Sequence, residues 1–274
     1  MADLPRIVRG MAAEDYHAHE AVSRSDLALV HRAPALFRAK RDGVLAEVAS
    51  PALAFGTLTH CAILEPEALA ERFAVFDGRR GTKAHAAAVE ENPGRELVKS
   101  ADMEKAKAMR EAVMHHPAAR ELLARGEAEV SIFWRDEGTG IACKCRPDWL
   151  AGDAIVDVKT TASAAPDEFS RSTWRYGYHR QAAFYLDGGK AAGLDVRRFV
   201  FLAIEKDAPH LVAAYELDAM DVELGRTAYR RDLATLAACM EAEARGEPDA
   251  WPGYGDAIQP LALPRWAYEQ EEAA

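Results

Sequence analysis

The sequence lacks long hydrophobic runs and any excess of positive charge. No apolar stretch approaches the roughly 18 residues that cross a membrane, and the first residues, MADLPRIVRG, lack the apolar segment of a signal peptide. We therefore expect a cytoplasmic protein with no membrane partner. The chain carries 34 Lys and Arg residues against 44 Asp and Glu residues, a formal net charge of −10. Attraction of the whole molecule to nucleic acid is thus excluded, and any polyanion site must be a local basic surface assisted by metal ions.

Cysteine is also scarce. The four cysteines, Cys61, Cys143, Cys145 and Cys239, are too few and too scattered for a disulfide framework, which fits a reducing compartment. With 49% hydrophobic and 28% charged residues, the composition excludes a wholly disordered, collagen-like or coiled-coil chain. A length of 274 residues allows one domain with appendages, and we predict a single domain over 1–274.

Hydrophobic periodicity divides this domain into three parts. We predict a helical part at about 16–125, a sheet core at about 126–216, and a C-terminal helix with an irregular tail at about 217–274. Helical spacing occurs in 22–40, 51–64, 100–125, 166–186 and 218–245. Strand patterns occur in 128–135, 141–150, 154–159, 198–205 and 210–216. The Gly- and Arg-rich segment 76–95 predicts a long flexible loop with about one helical turn.

Two predicted strands joined by a short turn carry the main chemical signal. Asp148 follows Pro147 on one strand, and Asp157, Val158 and Lys159 lie on the next. The turn places Asp148 near Asp157, and the alternation of strand side chains puts Lys159 on the side of Asp157. Two like charges in one partly buried site repel, so such a pair needs a cation or a protonated carboxyl group. Oxygen ligands favour Mg²⁺ or Mn²⁺ over zinc. An exposed hairpin with solvated charges would show the same spacing.

Other residues could complete such a site. His60 lies in an apolar helix, where a histidine on its own is more often a packed core residue. Gln181 and Tyr185 are four residues apart and share a helix face directly after the Asp157 strand. Glu129 lies on the polar face of the strand expected beside Asp148, although glutamates on strand faces are usually solvated. Cys143 and Cys145 lie on the face opposite Asp148, which indicates core positions.

In this order, the residues resemble the PD-(D/E)xK nuclease superfamily in its RecB-like branch. The matching set is His60, Glu129, Pro147 with Asp148, Asp157 to Lys159, Gln181 and Tyr185. Together with EVSIFW, the segments SRSDLALVHRAPALF and FGTLTHCAILEP resemble the nuclease domain of phage-derived RecE-like exodeoxyribonuclease VIII. This resemblance extends over about 16–216. It implies an α/β fold of the restriction-endonuclease type, with a central mixed β-sheet flanked by helices.

The resemblance also implies a role for each matched residue. Asp148, Asp157 and the main-chain carbonyl of Val158 would hold the catalytic Mg²⁺, which Mn²⁺ could replace, and His60 would assist from its helix. Lys159 would position the attacking water and stabilise charge on the phosphate.

Three further residues receive roles by the same resemblance. Glu129 would act through a metal-bound water, and this is the weakest match. Gln181 and Tyr185 would contact DNA near the scissile phosphate.

The implied activity is that of an exodeoxyribonuclease acting on ends of double-stranded DNA. RecE-like enzymes digest one strand from the 5′ end and leave 3′ single-stranded overhangs for recombination by strand annealing. The family is associated with ring-shaped homotetramers and with a single-strand annealing partner.

Two segments could supply local positive charge. Arg171, Arg175 and Arg180 accompany three aromatic residues in RSTWRYGYHR, a mixture suited to phosphates and bases, although the aromatic side chains could equally face the core. Arg79, Arg80 and Lys83 form a second basic cluster.

Other functions stay open at this point. The fold could belong to an endonuclease, or to an AddB-like nuclease with an iron-sulfur cluster, although only Cys239 lies near the C-terminus. A catalytically silent DNA-binding module and a structural protein without nucleic acid are further alternatives. The complete set of Asp148, Asp157 and Lys159 argues against the silent module.

Overall fold

A computed structural model describes residues 6–45, 50–255, 257–264 and 268. Its helices are α1 Ala13–Ala18, α2 Arg24–Arg32, α3 Pro34–Arg41, α4 Pro51–Leu64, α5 Leu69–Arg72, α6 Lys83–Glu91, α7 Ser100–His115, α8 Pro117–Leu123, α9 Pro166–Tyr176, α10 Tyr178–Ala191 and α11 Ala219–Ala244. Its strands are β1 Arg6–Val8, β2 Phe73–Val75, β3 Glu96–Val98, β4 Glu127–Ala128, β5 Ser131–Arg135, β6 Ala142–Cys145, β7 Trp149–Ala151, β8 Ala154–Thr161, β9 Arg198–Glu205 and β10 Val212–Glu216.

The central sheet has five strands in the order β10-β9-β8-β7-β4. Strands β8 and β9 are parallel, whereas the other neighbouring pairs are antiparallel, so the sheet is mixed. A second sheet has three antiparallel strands in the order β1-β5-β6. Strands β2 and β3 form a small parallel pair. The predicted α/β fold with a central mixed sheet is confirmed.

Helices cover both faces of the central sheet. Val156 and Val158 belong to a core cluster with Ile63 of α4 and Met109 of α7. On the opposite face, Ile155 belongs to a cluster with residues of α9 and α10. The alternation of side chains along β8 therefore directs Asp157 and Lys159 toward α9 and α10, as the sequence pattern predicts.

Two predicted strands are each interrupted. The segment 141–150 forms β6 and β7, which belong to different sheets, because Pro147 between them cannot donate a hydrogen bond to a strand ladder. The segment 128–135 breaks after β4, where Glu129 adopts φ = 54°, a conformation that side chains other than glycine rarely occupy. Expecting one continuous strand in each segment was therefore wrong.

Two helix expectations are corrected as well. The predicted loop at 76–95 contains the nine-residue helix α6, whose N-terminus is capped by Thr82. The predicted helix at 100–125 is divided by Pro117, which begins α8. Within 247–255 and 257–264 there is no helix or strand, in agreement with the predicted irregular tail. In the part of the chain that the structure describes, no helix combines the length and the apolar character needed to cross a membrane.

Candidate functional site

The two strand breaks and helix α4 bring three metal-ligating side chains together. His60, Glu129 and Asp148 each offer a ligand atom, and these atoms lie within 4.8 Å of one another. His60 Nδ1 is 3.5 Å from Asp148 Oδ2. All three residues are partly exposed, so a ligand could reach them from solvent.

Main-chain contacts hold the two carboxylates in this position. Val158 donates its N–H to Asp148 Oδ2 at 2.7 Å, which ties the Asp148 side chain to strand β8. The Glu129 N–H donates to the Asp148 main-chain carbonyl at 3.1 Å. The two strand breaks thus lie next to each other. Glu129 follows the break after Ala128, and Asp148 follows Pro147, so both carboxylates lie outside the regular strands. The role predicted for the Val158 carbonyl stays a prediction.

Asp157 and Lys159 form a second group beside this cluster. Lys159 Nζ is 2.5 Å from Asp157 Oδ2, and Gln181 donates from Nε2 to Asp157 Oδ1 at 2.5 Å. The register of β7 and β8 pairs Trp149 with Val156, so Asp148 and Asp157 occupy the next positions along the two strands. The sequence-based expectation that the hairpin brings these aspartates near each other is confirmed, although the Asp157 carboxylate faces Lys159 and Gln181.

Burial and crowding of charges shift the pKa of several groups. Burial raises the pKa of Asp157, Lys159 opposes this rise, and the charge of Asp148 adds to it. Burial would lower the pKa of Lys159, but the Asp157 and Asp148 carboxylates raise it above its ordinary value. Burial and then Asp148 raise the pKa of Glu129 to about 7, although Arg146 offsets part of the effect. Burial is thus the main cause of the raised carboxyl pKa values, and the charge of Asp148 adds to it at both positions.

The donor set fits a hard divalent cation. Carboxylate oxygens with one imidazole are ligands that Mg²⁺ and Mn²⁺ accept. Asp157 Oδ2 is buried beside this donor set, and Lys159 Nζ lies 2.5 Å from it as its ion-pair partner.

Gln181 and Tyr185 share one face of α10, as predicted, and both line a cavity of about 530 Å³ next to Glu129. Burial raises the pKa of Tyr185 far above its ordinary value, so its hydroxyl stays protonated and can donate a hydrogen bond. The same cavity is lined by five cationic side chains: Arg24, Lys40, Arg41, Lys144 and Arg146. It also contains the carboxylates of Asp26 and Glu129.

Arg146 and Arg24 are site residues that the sequence reasoning missed. Arg146 Nε lies 2.8 Å from Glu129 Oε2, and its guanidinium also donates to the main-chain carbonyls of Glu129 and Met11. Its place directly before Pro147, on the polar face of the predicted strand, was a usable signal. Arg24 donates to the Tyr176 carbonyl across 152 residues of chain. No local pattern could indicate so distant a contact.

The predicted DNA-binding arginines occupy different environments. Arg171 and Arg175 are exposed on α9. Arg180 is largely buried and lies 3.8 Å from Asp232 of α11, so the expectation that it faces DNA is not supported by its position. This difference arises because α10 packs against α11, which turns Arg180 inward. Arg79, Arg80 and Lys83 are exposed, as the sequence suggested.

The cysteines and the other histidines have structural positions. All four cysteine thiols are buried and free. Cys143 and Cys145 pack in one core cluster and Cys61 in another, which argues against an iron-sulfur cluster. His116 accepts from the Ala119 N–H and so caps the start of α8. His116 is also the C-terminal cap residue of α7, so α7 ends and α8 begins at this histidine.

A family profile and one of the similar solved structures agree with this architecture. The profile of a family described as a PDDEXK-like domain of unknown function (DUF3799) matches residues 23–254. A crystal structure of a candidate exonuclease from Eubacterium rectale has a TM-score of 0.64 at 15% identity, covering 93% of this chain and 97% of that chain. The alkaline exonuclease of Laribacter hongkongensis has a TM-score of 0.35 at 15% identity, covering 85% of this chain and 97% of its own. No curated protein sequence matches significantly. At such identity, the first likeness shows the fold alone.

Proposed function

The chain belongs to the PDDEXK-like family described by that profile, and on this basis we propose that it is a metal-dependent exodeoxyribonuclease acting on the ends of linear double-stranded DNA. One observation carries the proposal. The cluster of His60, Glu129 and Asp148 lies beside the buried group of Asp157 and Lys159, so the residues scattered over 100 positions of sequence form one site. A group of side chains that could hold a metal ion, next to a partly buried lysine, suits hydrolysis of a phosphodiester.

Four side chains would hold the divalent cation: His60, Glu129, Asp148 and Asp157. When bound, Mg²⁺ or Mn²⁺ would supply Lewis-acid polarisation of the phosphate and lower the pKa of a coordinated water. The carboxylates of Glu129, Asp148 and Asp157 supply negatively charged oxygen ligands, so the cation can be held without a thiolate.

Lys159 would stabilise the charge that develops on the phosphate. Its pKa is raised by Asp157 and Asp148, so it remains an ammonium at neutral pH. Gln181 orients the Asp157 carboxylate through its 2.5 Å hydrogen bond and so acts as a positioning residue. Tyr185, with its protonated hydroxyl, could donate to a phosphate oxygen in the neighbouring cavity.

The charge distribution supports a nucleic-acid substrate. Although the whole chain carries a formal charge of −10, the cavity beside the site is lined by five cations and two carboxylates, so three positive charges remain once Lys40 is paired with Asp26 and Arg146 with Glu129. Positive charge concentrated in a cleft can attract a polyanion that the molecule as a whole repels. By its resemblance to RecE-like enzymes, digestion would run from 5′ to 3′ and leave 3′ overhangs for strand annealing.

The decisive experiment compares linear duplexes, labelled at the 5′ or the 3′ end, with covalently closed circles in Mg²⁺, Mn²⁺ or EDTA. We expect degradation of linear duplex from 5′-phosphorylated ends with either metal, spared circles, and no digestion in EDTA. Lys159→Ala should lower turnover by about 100-fold, because its charge acts in the transition state.

Asp153→Asn is the control for removing a charge near the site without touching it, because Asp153 is an exposed aspartate in the turn between β7 and β8. It should digest DNA at the wild-type rate. Rapid nicking of closed circles would indicate an endonuclease of the same fold instead. No cleavage of any substrate by the wild type, together with DNA binding, would indicate a catalytically silent module.

A further inference from the structure

Two stacked aromatic pairs surround the turn between α9 and α10. Trp174 is 68% exposed and Tyr176 is 52% exposed. The Trp174 ring is stacked on His179, with centroids 5.3 Å apart and an interplanar angle of 10°. The Tyr176 ring is stacked on Tyr178 at 5.7 Å. Each exposed ring is thus backed by a second ring, and half or more of each exposed residue is accessible to solvent.

The turn that carries these rings is fixed in several ways. Gly177 adopts φ = 66°, which ends α9 and separates it from α10. Arg24 of α2 donates to the carbonyl of Tyr176. His179 is buried, and Tyr178 packs against Phe201 of the central sheet. Little conformational freedom remains to be lost when a flat ligand stacks on such rings.

Tyr178, one of the four stacked rings, lies next to Lys159 of the candidate site. Lys159 Nζ lies 4.7 Å from the centroid of the Tyr178 ring and 2.5 Å from Asp157 Oδ2. At the other end, the Arg175 guanidinium lies 5.6 Å from the centroid of the exposed Tyr176 ring. Lys159, the stacked pair of Tyr178 and Tyr176, and Arg175 therefore follow one another, and Trp174 lies two residues before Tyr176 in the last turn of α9.

We propose that Trp174 and Tyr176 stack against unpaired bases of the DNA strand whose phosphate lies at Lys159. This inference rests on the proposed function, because it assigns the neighbouring substrate atoms to a nuclease site. Every nucleobase offers a flat π-face, so stacking holds a strand without reading its sequence. The exposed rings would thereby keep a separated DNA end next to Asp157 and Lys159.

Binding of short single-stranded oligonucleotides in EDTA tests this directly, since no cleavage occurs there. The matched ligand is an abasic oligonucleotide with the same number of phosphates. We expect the wild type to bind the base-containing strand more tightly than the abasic strand. Trp174→Ala and Tyr176→Ala should each weaken binding of the base-containing strand by about five-fold or more, and leave binding of the abasic strand unchanged.

Fluorescence provides a second readout. Stacking should quench the emission of Trp174, and Trp174→Phe should abolish this quenching while it preserves most of the affinity. Tyr254→Ala is the control, because Tyr254 is an aromatic residue of similar exposure outside this group. It should change neither affinity nor quenching.

Equal affinity of the wild type for both strands would overturn the proposal, as would unchanged affinity in both alanine variants. A changed sedimentation coefficient with unchanged oligonucleotide affinity would instead assign the rings to a protein contact. Hydrolysis of duplex DNA in Mg²⁺ is measured separately, so a failure of stacking and a failure of the nuclease function give different results.

Discussion

Burial, and after it the charge of Asp148, raises the pKa of the Glu129 carboxyl group from the ordinary 4.5 to about 7. Between these values the folded chain binds more protons at this position than the unfolded chain, so this group lowers stability as pH rises from about 4.5 to about 7. Stability that is present below pH 4.5 is lost once Glu129 ionises in the folded protein.

Replacing this carboxyl group should remove that loss. Without added metal, the stability of Glu129→Gln relative to the wild type should increase by about 1 to 2 kcal/mol between pH 5.5 and pH 8. Urea unfolding at the two pH values measures the difference. Glu127→Gln changes an exposed glutamate two positions away and should show no such trend. A difference that is independent of pH would contradict the raised pKa of Glu129.

Asp157 and Lys159 stabilise each other, so losing one of them has a structural cost. The sequence emphasises repulsion between Asp148 and Asp157, whereas the structure pairs Asp157 with Lys159 at 2.5 Å. Asp157→Asn should therefore destabilise the fold by roughly 3 kcal/mol, because it leaves a largely buried ammonium without its carboxylate. Chemical denaturation at pH 7 without metal measures this loss.

The double variant Asp157→Asn with Lys159→Met separates stability from function. It removes both charges and should recover most of the lost free energy of unfolding, while DNA digestion remains absent. If the single variant is as stable as the wild type, the ion pair does not contribute as its burial indicates.

At the level of elements, helices α10 and α11 meet at a glycine. A Cβ atom on Gly225 of α11 would lie 2.1 Å from the main-chain oxygen of His179 in α10. The two helices can approach this closely only because Gly225 has no side chain. This contact positions the start of α10, which carries Gln181.

Gly225→Ala should therefore destabilise the protein by about 2 to 3 kcal/mol, although alanine is the better helix former. Gly56→Ala provides the matched comparison, because Gly56 lies in α4 with no atom within 4 Å of an added Cβ. That variant should be more stable by about 0.5 to 1 kcal/mol. Thermal unfolding of the two variants decides the matter, and a stabilising Gly225→Ala would show that the helices can separate without cost.

At the level of the whole molecule, net charge and local charge have opposite signs. A single copy with a formal charge of −10 repels DNA at long range, and a few exposed arginines would bind it weakly and with strong salt dependence. A closed ring could direct several copies of the α9 surface, with Arg171 and Arg175, into one channel. The acidic surface would then remain outside.

We accordingly predict a cyclic homo-oligomer, a tetramer by resemblance to RecE-like enzymes, that shortens each strand steadily within one binding event. Light scattering at working concentration and digestion in an excess of unlabelled competitor DNA are the measurements. A monomer that nevertheless digests processively would contradict this explanation. A single-strand annealing partner remains a prediction of the same resemblance.

The sequence by itself determined the elements whose pattern is local. Periodicity located α4 and β9 with their observed bounds, and strand alternation assigned Asp157 and Lys159 to one face of β8. The short turn between β7 and β8 predicted that Asp148 and Asp157 lie close together, and the ordered set of His60, Asp148 and Asp157 resembled the nuclease superfamily.

Only the tertiary structure decided which side chains meet at the site. Pro147 marks one strand break in the sequence, but the break at Glu129 and the division of both segments between two sheets depend on the strands that pair with them. The inward orientation of Arg180 toward Asp232 and the contact of Arg24 with Tyr176 join residues far apart in sequence. Such contacts follow from the packing of α10 against α11 and of α2 against the α9 turn. Periodicity reports which face of an element is apolar, but the partner of each polar side chain is set by the elements that pack around it.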